Sequence, residues 1–421
     1  MRKLKNILIL AGGDSTRFWP LTNKVIFPFL GRPLIDYILR QVFPYAYSIV
    51  IVSHPSIQEE LKKIASKGKK VLVISQKEVN LGMAGAILTA TEFIANSEVL
   101  VINGSDLLDF SFLPSFIKKI DEGSKFVTTA QEVKNNLPGG YLKFNDSGQL
   151  IEIIEKPKIP PSSFFKLVVD YFFDLSFFSE KIIKLKNKTE SDCLYEQGLN
   201  ILIKEIKKTT VFYYKNNFYS LKYPWHVLTL MNHFLETIKK DYFEKDVSIS
   251  KKATIVSPVY FSRGVKVGDY AKVVGPTFIG ENSKIADFAL VNKSHIGRNC
   301  LIGGYSEVTR SYLGDKVFLH RNYVGDSVIA NDVLMGAGGV LANFRFDKQP
   351  IRSRISKEKI NTCLSKLGAI IGEGSKIGVN ATVLPGIKIG KNTFIGPGQI
   401  VKEDVGNNKF LFNSQLKDNL T

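Results

Sequence analysis

Two hydrophobic rhythms run along the chain, and one replaces the other near Val247. In the first half, short continuous apolar runs alternate with stretches that are apolar every three or four positions. Ile7 to Leu10, Ser48 to Ser53, Val71 to Ile74 and Val99 to Asn103 have the length and β-branched content of buried strands. Pro33 to Val42, Ser56 to Lys67 and Ala84 to Ala95 carry helical spacing. This alternation predicts an α/β, doubly wound, Rossmann-like domain over 1–240, whose parallel sheet holds ligands beyond the carboxyl ends of its strands. Two more strands, Pro138 to Phe144 and Gln149 to Pro157, follow later.

From Val247 the period shortens. An aliphatic residue followed by Gly or Ala recurs, as in Val267-Gly268, Ile279-Gly280, Ile296-Gly297, Leu313-Gly314, Ile371-Gly372 and Ile389-Gly390. Many steps are about six residues or twice that, the hexapeptide repeat of a parallel β-helix. The aliphatic residue fills the prism and the small one permits the corner. A β-helix is therefore predicted over 247–406. Charged residues from Arg345 to Ser365 interrupt it, so a loop leaves the coil there, and 407–421 reads as a polar C-terminal tail.

Composition narrows the classes. The 421 residues suit two or three domains, and 44% hydrophobic with 23% charged is globular. Net charge is +18. The basic residues are scattered, without a Lys/Arg block or an RNA-binding aromatic motif, so phosphorylated small substrates are favoured over nucleic acid. Cys193, Cys300 and Cys363 are far apart, which suits a reducing compartment. No stretch is long enough for a membrane span, and the apolar run before Asp14 is shorter than a signal-peptide core. A cytoplasmic protein is expected.

The chemistry concentrates at predicted strand ends. After Leu10 come Gly12 and Gly13, a polar turn, then Arg17 and Lys24. A strand, a small-residue loop and two cations can cradle phosphate, although the same residues also suit an ordinary turn with surface charge. After the third strand stand Gln76 and a turn containing Gly82, where an amide can pair with a base edge or simply cap a helix. After the fourth stands Asn103-Gly104-Ser105-Asp106, whose carboxylate can hold Mg²⁺ or cap a turn.

These motifs resemble the sugar-1-phosphate nucleotidylyltransferases. The residues that carry the likeness are Ala11-Gly12-Gly13-Asp14-Ser15-Thr16-Arg17, Pro20-Leu21-Thr22, Lys24 and Gly31-Arg32-Pro33-Leu34. Ser15 replaces a family Gly, and Asn23 the Pro before the Lys. The resemblance implies nucleotide binding by Leu10, Gly12, Gly13, Gln76 and Gly82, catalysis by Arg17 and Lys24, Mg²⁺ on Asp106, and sugar contacts from Gly140, Glu155 and Lys156. Pro224 and Trp225 match a later family segment, but Ser220 stands at its second metal carboxylate and His226 at a later Asp. The repeat half is similar to the left-handed β-helix acyltransferases. Leu319 to Ser327, Gly336-Ala337-Gly338 and Ala342-Asn343 are closest to the acetyltransferase half of the bifunctional N-acetylglucosamine-1-phosphate uridylyltransferase/glucosamine-1-phosphate acetyltransferase family. That likeness implies His320 as the base, Tyr323, Asn343 and Lys348 as substrate contacts, acetyl-CoA as co-substrate and a homotrimer. Val291, Thr309 and Leu334 stand where that family keeps Arg, Lys and Asn. A lone His in a β-helix turn can also be a stacking residue. Nucleotidyl transfer from a nucleoside triphosphate to a sugar-1-phosphate is the main expectation. A non-catalytic sensor with a trimerising β-helix, and an acetyltransferase alone, are the alternatives.

Overall fold

The computed structural model describes residues 2–66, 70–186, 193–206, 208–413 and 415–418. Lys67, the last residue of one predicted helix, lies outside them. Contacts divide the chain into two units, Met1–Asp14 with Leu34–Ser220, and Ser15–Pro33 with Leu221–Thr421.

The first unit is built on a nine-stranded sheet. Its strands are β1 (Leu4–Ala11), β2 (Ala46–Ser53), β3 (Val71–Ser75), β4 (Val99–Asn103), β5 (Phe126–Glu132), β6 (Gly140–Phe144), β7 (Leu150–Glu155), β8 (Phe164–Phe172) and β9 (Thr209–Tyr213). The path is β7-β6-β8-β4-β1-β2-β3, with β5 pairing β8 and β9. As the alternating pattern predicts, β4, β1, β2 and β3 are mutually parallel, joined by the helices Leu34–Val42, Gln58–Ala65 and Gly82–Ile94. Leu8, Leu10, Val50, Val52, Val99 and Val101 bury their side chains with Ala84, Ile87 and Ala90 of the last of these helices. The other half differs. There β8 runs antiparallel to β4, β5 and β6, and β6 antiparallel to β7. The short turn around Asn145–Gln149 allows this, because antiparallel neighbours need no crossover helix.

The second unit contains three stacked sheets of eight, ten and eight short strands, consistent with the left-handed β-helix that the repeat implies. Register is exact from coil to coil: Val273, Val291, Val308, Val324, Leu341, Val383 and Val401 lie in one inward column. All seven are in the prism core. The small residues earn their place by close coil stacking. A Cβ on Gly297 would come within 2.4 Å of the Gly314 backbone. The interruption folds as a hairpin, Arg352–Ile355 against Glu358–Asn361. The predicted polar tail is partly structured. Lys409–Phe412 extends the second sheet, with Phe410 opposite Phe394, and turns back antiparallel to Gln415–Asp418. Cys193, Cys300 and Cys363 are not joined in disulfides. Among the described residues no helix is long and apolar enough to cross a membrane.

Candidate active sites

In the first unit the predicted nucleotide residues converge beyond the ends of β1 and β3. The Gln76 side chain is buried. Its Nε2 donates to the Glu78 carbonyl at 2.9 Å and to the Gly82 carbonyl at 2.8 Å. Both amide hydrogens are thus spent on the loop itself, and Oε1 is a buried acceptor with no hydrogen-bond partner. That oxygen lies against Gly12, where a Cβ would come within 1.6 Å of it. Gly82 has φ +53 with ψ −131, a conformation that suits glycine alone. The three residues form a bare-backbone cradle closed by one carboxamide. Gly13 is exposed beside it, and the Leu10 carbonyl accepts from the Gly104 N–H at 2.9 Å.

The Asn103–Asp106 turn closes the same edge. Asn103 Nδ2 donates to Asp106 Oδ2 at 2.9 Å, and Asn103 Oδ1 accepts from the Ser105 N–H at 3.1 Å and the Ser105 hydroxyl at 3.0 Å. Asp106–Leu107 pairs antiparallel with Tyr219–Ser220, and Ser220 lies directly opposite Asp106. The donors there are one half-buried carboxylate and one hydroxyl, both hard oxygen ligands of the type Mg²⁺ takes. Among the described residues no group of three or more His, Cys, Asp or Glu could hold a metal by itself. The residues therefore fit Mg²⁺ shared with substrate phosphates.

The predicted sugar residues also meet. Gly140 pairs with Glu155 across β6 and β7, and a Cβ on Gly140 would reach Glu155 Oε2 at 3.4 Å. Lys156 has φ +46, and its Nζ is 3.8 Å from Glu155 Oε1. Behind them sits a buried polar cluster that the sequence reading missed. Lys166 Nζ pairs with Asp170 Oδ2 at 2.7 Å, and that oxygen also accepts from the Tyr195 hydroxyl at 2.8 Å. Thr128 Oγ1 donates to Asp170 Oδ1 at 2.6 Å. Burial pushes the Glu196 carboxyl up to about 7, against the pull of Lys166 and with a push from Glu155. Charged residues within the apolar run Phe164–Phe172 are the signal that could have found this cluster.

The signature loop belongs to the second unit. Phe18, Leu21, Val25, Phe27 and Phe29 are buried, whereas Arg17 is exposed and Lys24 half-buried. Ser15 adopts φ +57, which explains why a Gly suits that position. Asn23 Oδ1 accepts from the Val25 N–H at 2.9 Å, an Asx turn that fixes the backbone where the motif has Pro. His226 opens the helix His226–Leu235, and its Nδ1 accepts from the Lys222 N–H at 3.3 Å.

On the β-helix, Tyr323 and Asn343 come together. Their side chains both close on Gly325, and Asn343 Nδ2 donates to Asp326 Oδ2 at 2.5 Å. Arg310 Nε and Nη2 grip the Asp326 carboxylate at 2.7 Å each. Burial and the nearby Glu307 carboxylate push the Tyr323 phenol up. A Cβ on Gly325 would lie 2.5 Å from Asn343 Nδ2 and 2.7 Å from the Tyr323 hydroxyl, so the pair needs a glycine there. His320 is exposed at a corner, its N–H held by Asn322 Oδ1 at 2.5 Å. Lys348 is exposed in the outgoing arm. A cleft of about 1030 Å³ opens between that arm and the next coils, lined among others by Phe344, Arg345, Arg354, Lys359 and Lys402, and Lys348 is not part of its wall. Val291 faces the prism core, and Asn292 faces out instead.

The family described as Nucleotidyl transferase matches residues 6–225. The chain belongs to the nucleotidyl transferase family. A second family, Bacterial transferase hexapeptide (six repeats), matches residues 368–398. "Bifunctional protein GlmU" of Methanocaldococcus jannaschii is 32% identical over 96% of this chain and 97% of its own length. "Bifunctional sugar-1-phosphate nucleotidylyltransferase/acetyltransferase" of Sulfurisphaera tokodaii is 31% identical over 96% of this chain and 98% of its own. "Bifunctional protein GlmU" of Methanococcus aeolicus is 32% identical over 97% of each chain. The similarity thus spans both the nucleotidyl transferase half and the β-helix.

Proposed function

We propose that the protein transfers a nucleotidyl group from a nucleoside triphosphate to a sugar-1-phosphate, giving an NDP-sugar and pyrophosphate, and that its β-helix acetylates an amino-sugar phosphate with acetyl-CoA. The observation that carries the first activity is the Gly12–Gln76 cradle, with its buried Gln76 Oε1 acceptor, beside the Asp106 turn. The relatives similar over 96% of the chain, named as bifunctional proteins, support the bifunctional reading.

In the first reaction a sugar-phosphate oxygen attacks the α-phosphorus, the bond to the bridging oxygen breaks, and pyrophosphate leaves. The attacking oxygen is already anionic, so no general base is needed. Gly12 and Gly13 give the phosphates access to backbone N–H groups, and Arg17 and Lys24 neutralise the charge that builds up on them. Asp106, oriented by Asn103, would hold Mg²⁺. Bound there, Mg²⁺ would supply charge neutralisation shared between the nucleotide and sugar phosphates. Gly140, Glu155 and Lys156 contact the sugar phosphate.

In the second reaction the neutral amine of the sugar attacks the thioester carbon, His320 takes the amine proton, the C–S bond breaks, and the imidazolium returns the proton to the departing CoA thiolate. Tyr323 and Asn343 orient the acceptor. Lys348 is exposed in the arm, and Arg352, Arg354, Lys359 and Lys402 in the cleft beside that arm suit the phosphates of the CoA moiety. A homotrimer in the cytoplasm is the proposed setting. The sensor reading keeps one observation in its favour, the hydroxyl of Ser220 opposite Asp106. A screen of nucleoside triphosphates against sugar-1-phosphates, scored by Mg²⁺-dependent pyrophosphate release, decides between them. Turnover of one pair supports the enzyme, and no turnover of any pair with retained nucleotide binding supports the sensor.

A further inference from the structure

One outward column of the β-helix is aromatic where a solvated face is the usual outcome. On its first sheet, Tyr242, Tyr260, Phe278, His295 and Tyr312 stack in sequence, with centroids 4.4–5.4 Å apart. Val328, Ile370 and Lys388 continue the column. His295, Tyr312 and Lys388 are each no more than 3% exposed. The segment Ser15–Pro33 packs on Tyr312 and reaches Lys388. The Tyr312 hydroxyl donates to the Pro28 carbonyl at 2.8 Å. Its ring lies 5.0 Å from Phe27 and 6.1 Å from Phe29, and Phe29 stacks on Phe234 at 5.0 Å. Further along, Trp19 Nε1 donates to Asn407 Oδ1 at 2.9 Å, and Lys388 Nζ sits 4.9 Å from the Trp19 ring centre. Lys388 is itself held by Asp404 at 3.2 Å and by the Arg354 carbonyl. Arg17 and Lys24 therefore stand on a segment pinned to the β-helix at two places, Trp19 and the Phe27–Phe29 stretch.

We infer that this face is the positioning platform for Arg17 and Lys24, and that Tyr312 is a positioning residue for nucleotidyl transfer. The physical reason is the entropy of a loop. A segment with an exposed Arg must be fixed by its buried residues if its cations are to meet phosphates without reordering. Phe18, Phe27 and Phe29 supply the apolar side of that anchor, and Tyr312 supplies both a ring and the hydroxyl that satisfies the Pro28 carbonyl. The inference rests on the reading of Arg17 and Lys24 as phosphate-binding groups.

The test is steady-state pyrophosphate release by the full chain carrying Tyr312→Ala, Tyr312→Phe, Trp19→Phe or Lys24→Ala. Tyr312→Ala should lower kcat/KM for the nucleoside triphosphate by about tenfold or more, mostly through KM, because the cations must be ordered on binding. Tyr312→Phe keeps the ring and should recover activity to within about threefold of the native chain. An unchanged KM in Tyr312→Ala, with Lys24→Ala inactive, overturns the inference and leaves the phosphate loop intact. Native rates in both variants overturn the reading of the loop itself. Should Tyr312→Ala fail to fold, Trp19→Phe carries the test. It loses the Asn407 hydrogen bond and weakens the Lys388 contact with the ring, and a rise of about threefold in KM supports the platform, whereas native KM overturns it.

Discussion

Ser220 is the residue whose consequence is easiest to isolate. It lies opposite Asp106 in a two-residue ribbon, so a carboxylate placed there would face the same ligand space. Ser220→Asp should lower the Mg²⁺ concentration for half-maximal pyrophosphate release by about tenfold, since a second charge a few ångströms from the cation adds at least about 1.4 kcal/mol of attraction. An unchanged Mg²⁺ titration would show that the hydroxyl does not face the metal. On the β-helix, Gly325→Ala drives a methyl into the Tyr323–Asn343 pair. Acetyl transfer should fall by about tenfold or more while the circular dichroism spectrum stays native; native acetylation would remove that pair from the site. Gly12, Gln76, Tyr323 and Asn343 were named because the motifs that carry the family resemblance are intact around them. The sequence could not place Val291, because a one-residue change of phase in a strand exchanges core for surface. Lys166, Asp170 and Glu196 were missed because Glu196, 26 and 30 residues away in sequence, meets the strand pair only through tertiary packing.

Elements were legible wherever period and punctuation agreed. The coils of the β-helix follow directly from the aliphatic–small pairs, and the parallel half of the first sheet from apolar runs separated by helices. The antiparallel half was not legible, since a buried strand reads the same in either direction and only its turns differ. The hairpin at Lys409–Phe412 was hidden by polar neighbours. His295 shows how one element responds to pH. Enclosed between Phe278 and Tyr312, its imidazole is pushed down from the ordinary 6.5 to about 4 by burial. Both folded and unfolded states are then neutral at pH 7. As pH falls through 6.5 the unfolded chain takes the proton first, so stability is lost between pH 6.5 and 4, by about 3 kcal/mol from this group. Urea midpoints at pH 7 and pH 4.5 should converge in His295→Phe relative to the native chain. An equal acid shift in both proteins would contradict the assignment.

At the scale of the molecule, the division of contacts departs from the division of the sequence. By motif, Ser15–Pro33 reads with the nucleotidyl transferase half; by contacts it groups with the β-helix. Nothing in a linear pattern announces this, because its buried Phe residues could pack on either partner. The faces of the prism also leave Phe318, Leu334 and Ile400 exposed, apolar surface that a threefold assembly would cover. Light scattering on the full chain should give three times the chain mass, and a monomer would contradict the proposed trimer. The central claim is that Arg17 and Lys24 serve nucleotidyl transfer, and pyrophosphate release by Lys24→Ala tests it most directly. With the active substrate pair and saturating Mg²⁺, the rate should fall by about 10²–10³, the effect of losing one charge-stabilising donor worth roughly 2.7–4 kcal/mol. Release at the native rate would contradict the account.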